Sequence, residues 1–237
     1  MLFRSQEWID TPARIAGLSD GVRVADLALE AESACALLED WSVWCWSEGA
    51  APARVDEREY HSIASGPGRT CGVSVENAVY CWGAGFTQWY GNTGRGNGGD
   101  RPIELDRFGL VGPDEPIAVG KEHVCLSYRH GVYCYGSNRQ GQIGDGGSRA
   151  PERLAERVAV RGLGYPNWGQ AIIDALPGDL GGDRAYLEIS ELAANENGSC
   201  AIVYARVVAC WGEAPLLRPD GSDDPAYETP VLLTFNR

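Results

Sequence analysis

Between residues 123 and 147 the chain reads HVCLSYRHGVYCYGSNRQGQIGDGG. A half-apolar run carries one cysteine, a short break follows, and a second half-apolar run carries another cysteine before a glycine-rich polar loop. Apolar and polar positions that alternate across a tight break predict a β-hairpin, because successive side chains of a strand face opposite sides. The pattern recurs. Its cysteines form the pairs Cys35/Cys45, Cys71/Cys81, Cys125/Cys134 and Cys200/Cys210. The second member of each sits in a similar setting: Trp44-Cys45-Trp46, Tyr80-Cys81-Trp82-Gly83, Tyr133-Cys134-Tyr135-Gly136 and Ala209-Cys210-Trp211-Gly212.

A second mark runs in step with the first. A proline precedes an aliphatic residue by two or three positions in TPARI (11–15), APARV (51–55), RPIEL (101–105), APERL (150–154) and TPVLL (229–233). Five marks enclose four repeats, approximately 11–50, 51–100, 101–149 and 150–233, within one domain spanning 1–237. Periods of this length indicate repeat architecture. The repeats are unequal. The first omits the exit loop, the second has a long one, GAGFTQWYGNTGRGNGGD at 83–100, and the fourth is preceded by an insertion at 164–186 in which AIIDAL predicts a short helical turn.

Each cysteine pair reads as the two arms of one hairpin. Three pairs enclose nine residues and the third encloses eight, and either loop length can leave the cysteines directly opposed, within reach of a disulfide. Two other readings fit the same positions. Free cysteines can serve as small buried hydrophobes, and zinc can recruit thiolates, although structural zinc sites usually place two ligands two to four residues apart.

Composition agrees with many short strands and turns: 31 glycines and 13 prolines are spread along 237 residues, which points to an all-β class. A formal charge of −13, with Lys121 the single lysine and no basic run, opposes binding to a phosphate backbone. No apolar run approaches the roughly 18 residues that a spanning helix needs, so no membrane insertion is expected. MLFRSQEWID does not read as a secretory leader, whereas eight paired cysteines favour an oxidising compartment. The expectation is an extracytoplasmic protein, with the cytoplasm as the alternative.

Catalytic signals are weak. Gly17-Leu18-Ser19-Asp20-Gly21 satisfies G-x-S-x-G but stands between two strand patterns, without the strand-turn-helix setting of a nucleophile elbow. Gly94 to Gly99 contains G-x-G-x-x-G, yet Arg101-Pro102 follows where a phosphate cradle requires a helix. His61, His123 and His130 show no metal-ligand spacing, and Asp220, Asp223 and Asp224 lack the alternation of a calcium loop. No cofactor or metal and no enzymatic activity are expected. Asn197-Gly198-Ser199 is a glycosylation acceptor only in a secreted, glycosylating context.

The series His123-Val124-Cys125-Leu126, Val132-Tyr133-Cys134-Tyr135-Gly136, Asn138 and Gly141-Gln142-Ile143-Gly144-Asp145-Gly146, repeated in phase, resembles the regulator of chromosome condensation repeat in its cysteine-bearing bacterial form. The resemblance covers most of the chain, excepting 164–186 and the extreme N-terminus. It implies a β-propeller with four-stranded blades around a channel, typically of seven repeats. Four repeats then imply about four blades, as a small closed ring or an open arc whose edges need a partner. His123 would be a structural hydrogen-bonder. The family's eukaryotic members include a nucleotide exchanger for a small GTPase and chromatin binders, and a bacterial relative inhibits β-lactamase by capping its active site.

Trp46, Trp82, Tyr135 and Trp211 recur at one repeat position and read as packing between blades. Trp89 and Tyr90, with Arg95, lie instead in the long exit loop, Asn138 and Arg139 in the third exit loop, and Tyr165 and Trp168 in the insertion. Loops on a rigid scaffold carry binding residues, and Trp, Tyr and Arg dominate binding hot spots. The expected function is a non-enzymatic protein-interaction module, inhibitor-like or an assembly subunit, whose partner is another protein or a second copy. The alternative is a lectin-like surface for a glycan or small molecule.

Overall fold

A computed structural model describes residues 15–18, 21–83, 101–105, 112, 115–128, 131–144, 158–160, 188–203, 207–213 and 227–234. Among these residues there is no helix, and sixteen strands form four separate antiparallel sheets of four. The first sheet comprises β1 (Val24–Leu29), β2 (Ser33–Leu38), β3 (Val43–Ser47) and β4 (Ala53–Arg54). The second comprises β5 (Tyr60–Gly66), β6 (Arg69–Ser74), β7 (Val79–Trp82) and β8 (Ile103–Glu104). The third holds β9 (Ile117–Val119), β10 (His123–Tyr128), β11 (Gly131–Gly136) and β12 (Val158–Val160), and the fourth β13 (Ile189–Ala194), β14 (Gly198–Val203), β15 (Val207–Gly212) and β16 (Tyr227–Thr234). Strand order follows the sequence in every sheet, so these are the blades of a β-propeller.

The proline marks find their place at the outer edge. APARV supplies β4, RPIEL supplies β8 and TPVLL lies within β16. Each of these three strands closes the sheet that began before it; APERL (150–154) and most of TPARI (11–15) lie outside the described residues, and the fourth strand of the third sheet is Val158–Val160. An outer edge suits proline, whose missing N–H would break a ladder in a central strand. The insertion at 164–186 and its AIIDAL segment lie outside the described residues.

The cysteines stand directly opposite each other in the central hairpins: Cys35 pairs with Cys45, Cys71 with Cys81, Cys125 with Cys134 and Cys200 with Cys210. All eight are disulfide-bonded, with Cα atoms 4.0–4.1 Å apart, the close-spaced kind of antiparallel pair. The free-thiol and zinc readings therefore fall.

Blades join through a repeated seam. The inner strands pack in sequence, β1 on β5, β5 on β9 and β9 on β13, and each incoming inner strand also touches the second strand of the blade before it. Each of the first three blades turns its cysteine face towards its successor. Between the first two blades Ala28, Cys35, Leu37 and Val43 meet Tyr60, Ile63 and Trp82. The next seam packs Cys71, Val73 and Val79 on Ile117, Val124 and Leu126, and the last packs Cys125, Val132 and Cys134 on Ala201, Val203 and Trp211. Among the described residues no comparable packing joins β13 back to β1. The described residues of the four blades form an open arc.

Each bridge closes a short loop, which on the chain-entropy account stabilises by about 2–3 kcal/mol. Replacing Cys125 and Cys134 together by alanine should therefore lower unfolding stability by about 2–3 kcal/mol, read from the urea midpoint. An unchanged midpoint would show that the seams alone hold the third hairpin.

Candidate interaction site

The exit loop of the third blade, residues 137–144, is built from its own side chains. Asn138 Oδ1 accepts a hydrogen bond from the Ile143 amide at 3.1 Å, and Gln142 Oε1 accepts one from the Gln140 amide at 2.8 Å. The turned loop drives Ile143 into the seam between the third and fourth blades. The Gln142 carbonyl accepts from Trp211 Nε1 at 2.9 Å and from the Ser199 hydroxyl at 3.3 Å. Gly144 is required there: its φ is 77°, and a Cβ would lie 2.6 Å from the Trp211 ring. This loop is a wedge between blades. Asn138 is consumed in shaping it, while Arg139 is exposed at its crest.

His123 lies at the root of the same wedge, fully buried, with Nε2 2.7 Å from the Ser199 hydroxyl. Because that hydroxyl donates to Gln142, the imidazole serves as donor. The ring rests on Gly120, where a Cβ would stand 2.1 Å from Cε1. Burial, with the Arg69 guanidinium adding to it and the Gly198 backbone opposing, pulls the histidine from 6.5 down to about 4. It is a structural hydrogen-bonder, as its repeat position implied.

On the second blade an open groove of about 570 Å³ is lined by Glu57, Arg58, Glu59, Val75, Glu76 and Tyr80. The Arg58 guanidinium sits 4.2 Å above the centre of the Tyr80 ring and pairs with Asp56. Asp56 also accepts from the Tyr60 hydroxyl at 3.2 Å, and Tyr80 donates to Glu104 at 3.3 Å. Burial first, and the Asp56 charge second, push the Tyr60 phenol well above its ordinary range, so it remains a donor. The groove offers carboxylates and a ring face that is already occupied by a cation.

The bare inner strand of the first blade is the third feature. Leu27 and Leu29 are 58% and 71% exposed. By register Leu27 stands opposite Ala36, the residue after the first cysteine, as Ile63 stands opposite Gly72, Ile117 opposite Leu126 and Leu192 opposite Ala201. Those three enter the seam with the preceding blade. Among the described residues no blade precedes β1 to receive Leu27. In the β2–β3 turn of the same blade Trp41 is exposed, holds a φ of 66°, and meets His61 edge-on at 5.2 Å.

Of the loop residues singled out from the sequence, Asn138 and Arg139 share the wedge loop, and Trp89, Tyr90, Arg95, Tyr165 and Trp168 lie outside the described residues. Leu27 and Leu29 were missed, although aligning the chain on its cysteines would have placed Leu27 at a seam position.

No family model matches the chain. It is 30% identical over 165 residues to the E3 ubiquitin-protein ligase HERC2 of Homo sapiens, a match covering 60% of this chain and 3% of the ligase, and equally so to the HERC2 of Mus musculus. Among solved structures, Prp20p from Saccharomyces cerevisiae superimposes with a TM-score of 0.62 at 18% identity, covering 90% of this chain and 52% of that one. Human WBSCR16 gives a TM-score of 0.68 at 14% identity, covering 92% of this chain and 55% of that one. Yeast RCC1 (Prp20) bound to Kap60 gives 0.59 at 19% identity, with 90% and 50% covered. The chain has the β-propeller fold of these solved structures, and its repeats are similar to those of yeast RCC1. It spans about half the length of these solved structures. In this propeller the wedge loop and its histidine are seam parts, and the surfaces left open among the described residues are the groove, the crest at Arg139 and the inner strand of the first blade.

Stability should carry the signature of His123. Its folded value lies below the unfolded 6.5, so the unfolded chain takes up the proton first. Stability then falls as pH drops from about 6.5 towards 4, by up to about 1.4 kcal/mol per unit, and above that window the group contributes no slope. Urea titrations at successive pH values should show a flatter limb for His123→Asn, and an unchanged limb would assign the slope to other groups.

Proposed function

We propose that this chain is a non-enzymatic protein-interaction module, an inhibitor-like or assembly subunit presented on a propeller arc. The observation that carries the reading is the bare inner strand of the first blade. Leu27 and Leu29 are 58% and 71% exposed at register positions where Ile63, Ile117 and Val119 of the following blades are buried. Apolar surface of this kind on a rigid sheet marks a contact face. Further polar and aromatic contacts come from Arg139 of the wedge loop and from the residues singled out in the sequence alone, Trp89, Tyr90, Arg95, Tyr165 and Trp168. Asn138 supports the crest by holding its turn.

The solved relatives lend support by kind. Prp20p is described with its binding to Gsp1p and histones, and yeast RCC1 in complex with Kap60. For the present chain a formal charge of −13 favours a protein partner over nucleic acid. Four disulfides favour an extracytoplasmic setting. No helix among the described residues is long and apolar enough to cross a membrane.

A photo-cross-linking amino acid placed at Leu27, with the exposed Glu48 as control position, tests the reading in the native host. Protein adducts identified by mass spectrometry at position 27 and absent at 48 are the expected outcome. Equal labelling at both positions, or no protein adduct at 27, would overturn it.

A further inference from the structure

The two ends of the arc carry the two halves of one seam. Each of the three existing seams is made when an incoming inner strand packs on the inner and second strands of the blade before it. The receiving half always presents the cysteine face. In the first three blades the alanine opposite the first cysteine is Ala28, Ala64 or Ala118, and the cysteine itself, Cys35, Cys71 or Cys125, is at most 2% exposed. Around it lie Leu37, Val43, Val73, Val79 and Val132, all buried.

The fourth blade repeats this receiving half without its cover. Ala193 pairs with Cys200 and Ile202 with Val208, at the same register positions. Yet Ala193 is exposed, and Cys200, Ile202 and Val208 are only half-buried. The first blade has the incoming half, β1, with Leu27 and Leu29 bare. Ala34, Ala36 and Leu38 on β2 are already buried, but the seams are made by the incoming inner strand, and that strand is open.

We infer that the neighbour of β1 is the fourth blade of a second copy of this chain, whose Ala193, Cys200 and Ile202 receive Leu27 and Leu29. This rests on the reading of β1 as a contact face. The contact joins unlike surfaces, so two copies related by a two-fold axis form it twice and close a ring. The size fits. The match covers 50–55% of each solved chain, so two arcs come to about the size of one such chain, and eight blades lie within the range that propellers adopt.

The test is native mass of the purified chain with its disulfides intact, at micromolar concentration, with unfolding midpoints as the control for folding. The chain is 25.5 kDa, and the expected species is a dimer of twice that mass. Leu27→Glu alone and Ile202→Glu alone each spoil both seams of their own dimer and should be monomeric. Mixed together they keep one unspoiled seam, and a heterodimer should reappear. A wild-type monomer, a concentration-dependent ladder of larger masses, or mixed variants that remain monomeric would overturn the two-copy ring. If the wild-type chain is monomeric while position 27 cross-links to a different protein, the contact-face reading stands and only the self-association falls. If position 27 cross-links nothing, both fall.

Discussion

The seam between blades is the contact on which everything else in this molecule depends. No single four-stranded sheet here has a core of its own: its two faces become interior only when the inner strand of one blade lies on the inner and second strands of another. Burial of apolar surface is the driving force, and in this chain it is organised as three repeated interfaces, not as one central core. That is the physics of repeat architecture, in which stability is a sum of units and nearest-neighbour terms. The consequence is directional. An arc always has one face that expects a predecessor and one that expects a successor.

Polar chemistry at the seams serves the same end. The Gln142 carbonyl, Ser199 hydroxyl, His123 imidazole and Trp211 indole form a buried chain of hydrogen bonds joining the third and fourth blades, with His123 Nδ1 left without a hydrogen-bond partner, and these directional bonds favour one arrangement of apolar faces that would otherwise slide. The first seam uses a smaller version: the Thr70 hydroxyl donates to Glu30 at 2.6 Å and lies 3.7 Å from Cys35 Sγ. Two seams thus share a geometry but not a residue set. The repeat conserves positions within the chain more faithfully than it conserves side chains.

Much of this was legible in the sequence, and the reason is local. Cysteine pairing, the aromatic after the second cysteine and the proline marks all express hairpin geometry, which short-range spacing determines. The family resemblance then supplied the propeller. What spacing did not reveal was the role of Asn138, which resembles a contact residue until its carbonyl is seen to hold the Ile143 amide. The bareness of Leu27 and Leu29 was hidden too, for a different reason: an apolar residue on an alternating strand looks the same whether its partner blade exists or not. Trp41 is a further case, since no sequence rule anticipates an indole at a φ of 66°.

The disulfides have a consequence for how the protein is made. Eight cysteines admit 105 pairings in principle, yet each bridge joins cysteines only nine or ten positions apart. During synthesis at about 5–20 residues per second, the correct partner emerges roughly a second or two after the first thiol, well before the cysteines of the next hairpin. Oxidation can therefore proceed hairpin by hairpin as the chain appears, with nearest neighbours always the right ones. No covalent bond crosses a seam, so the order of bond formation leaves the arrangement of blades free to be decided afterwards.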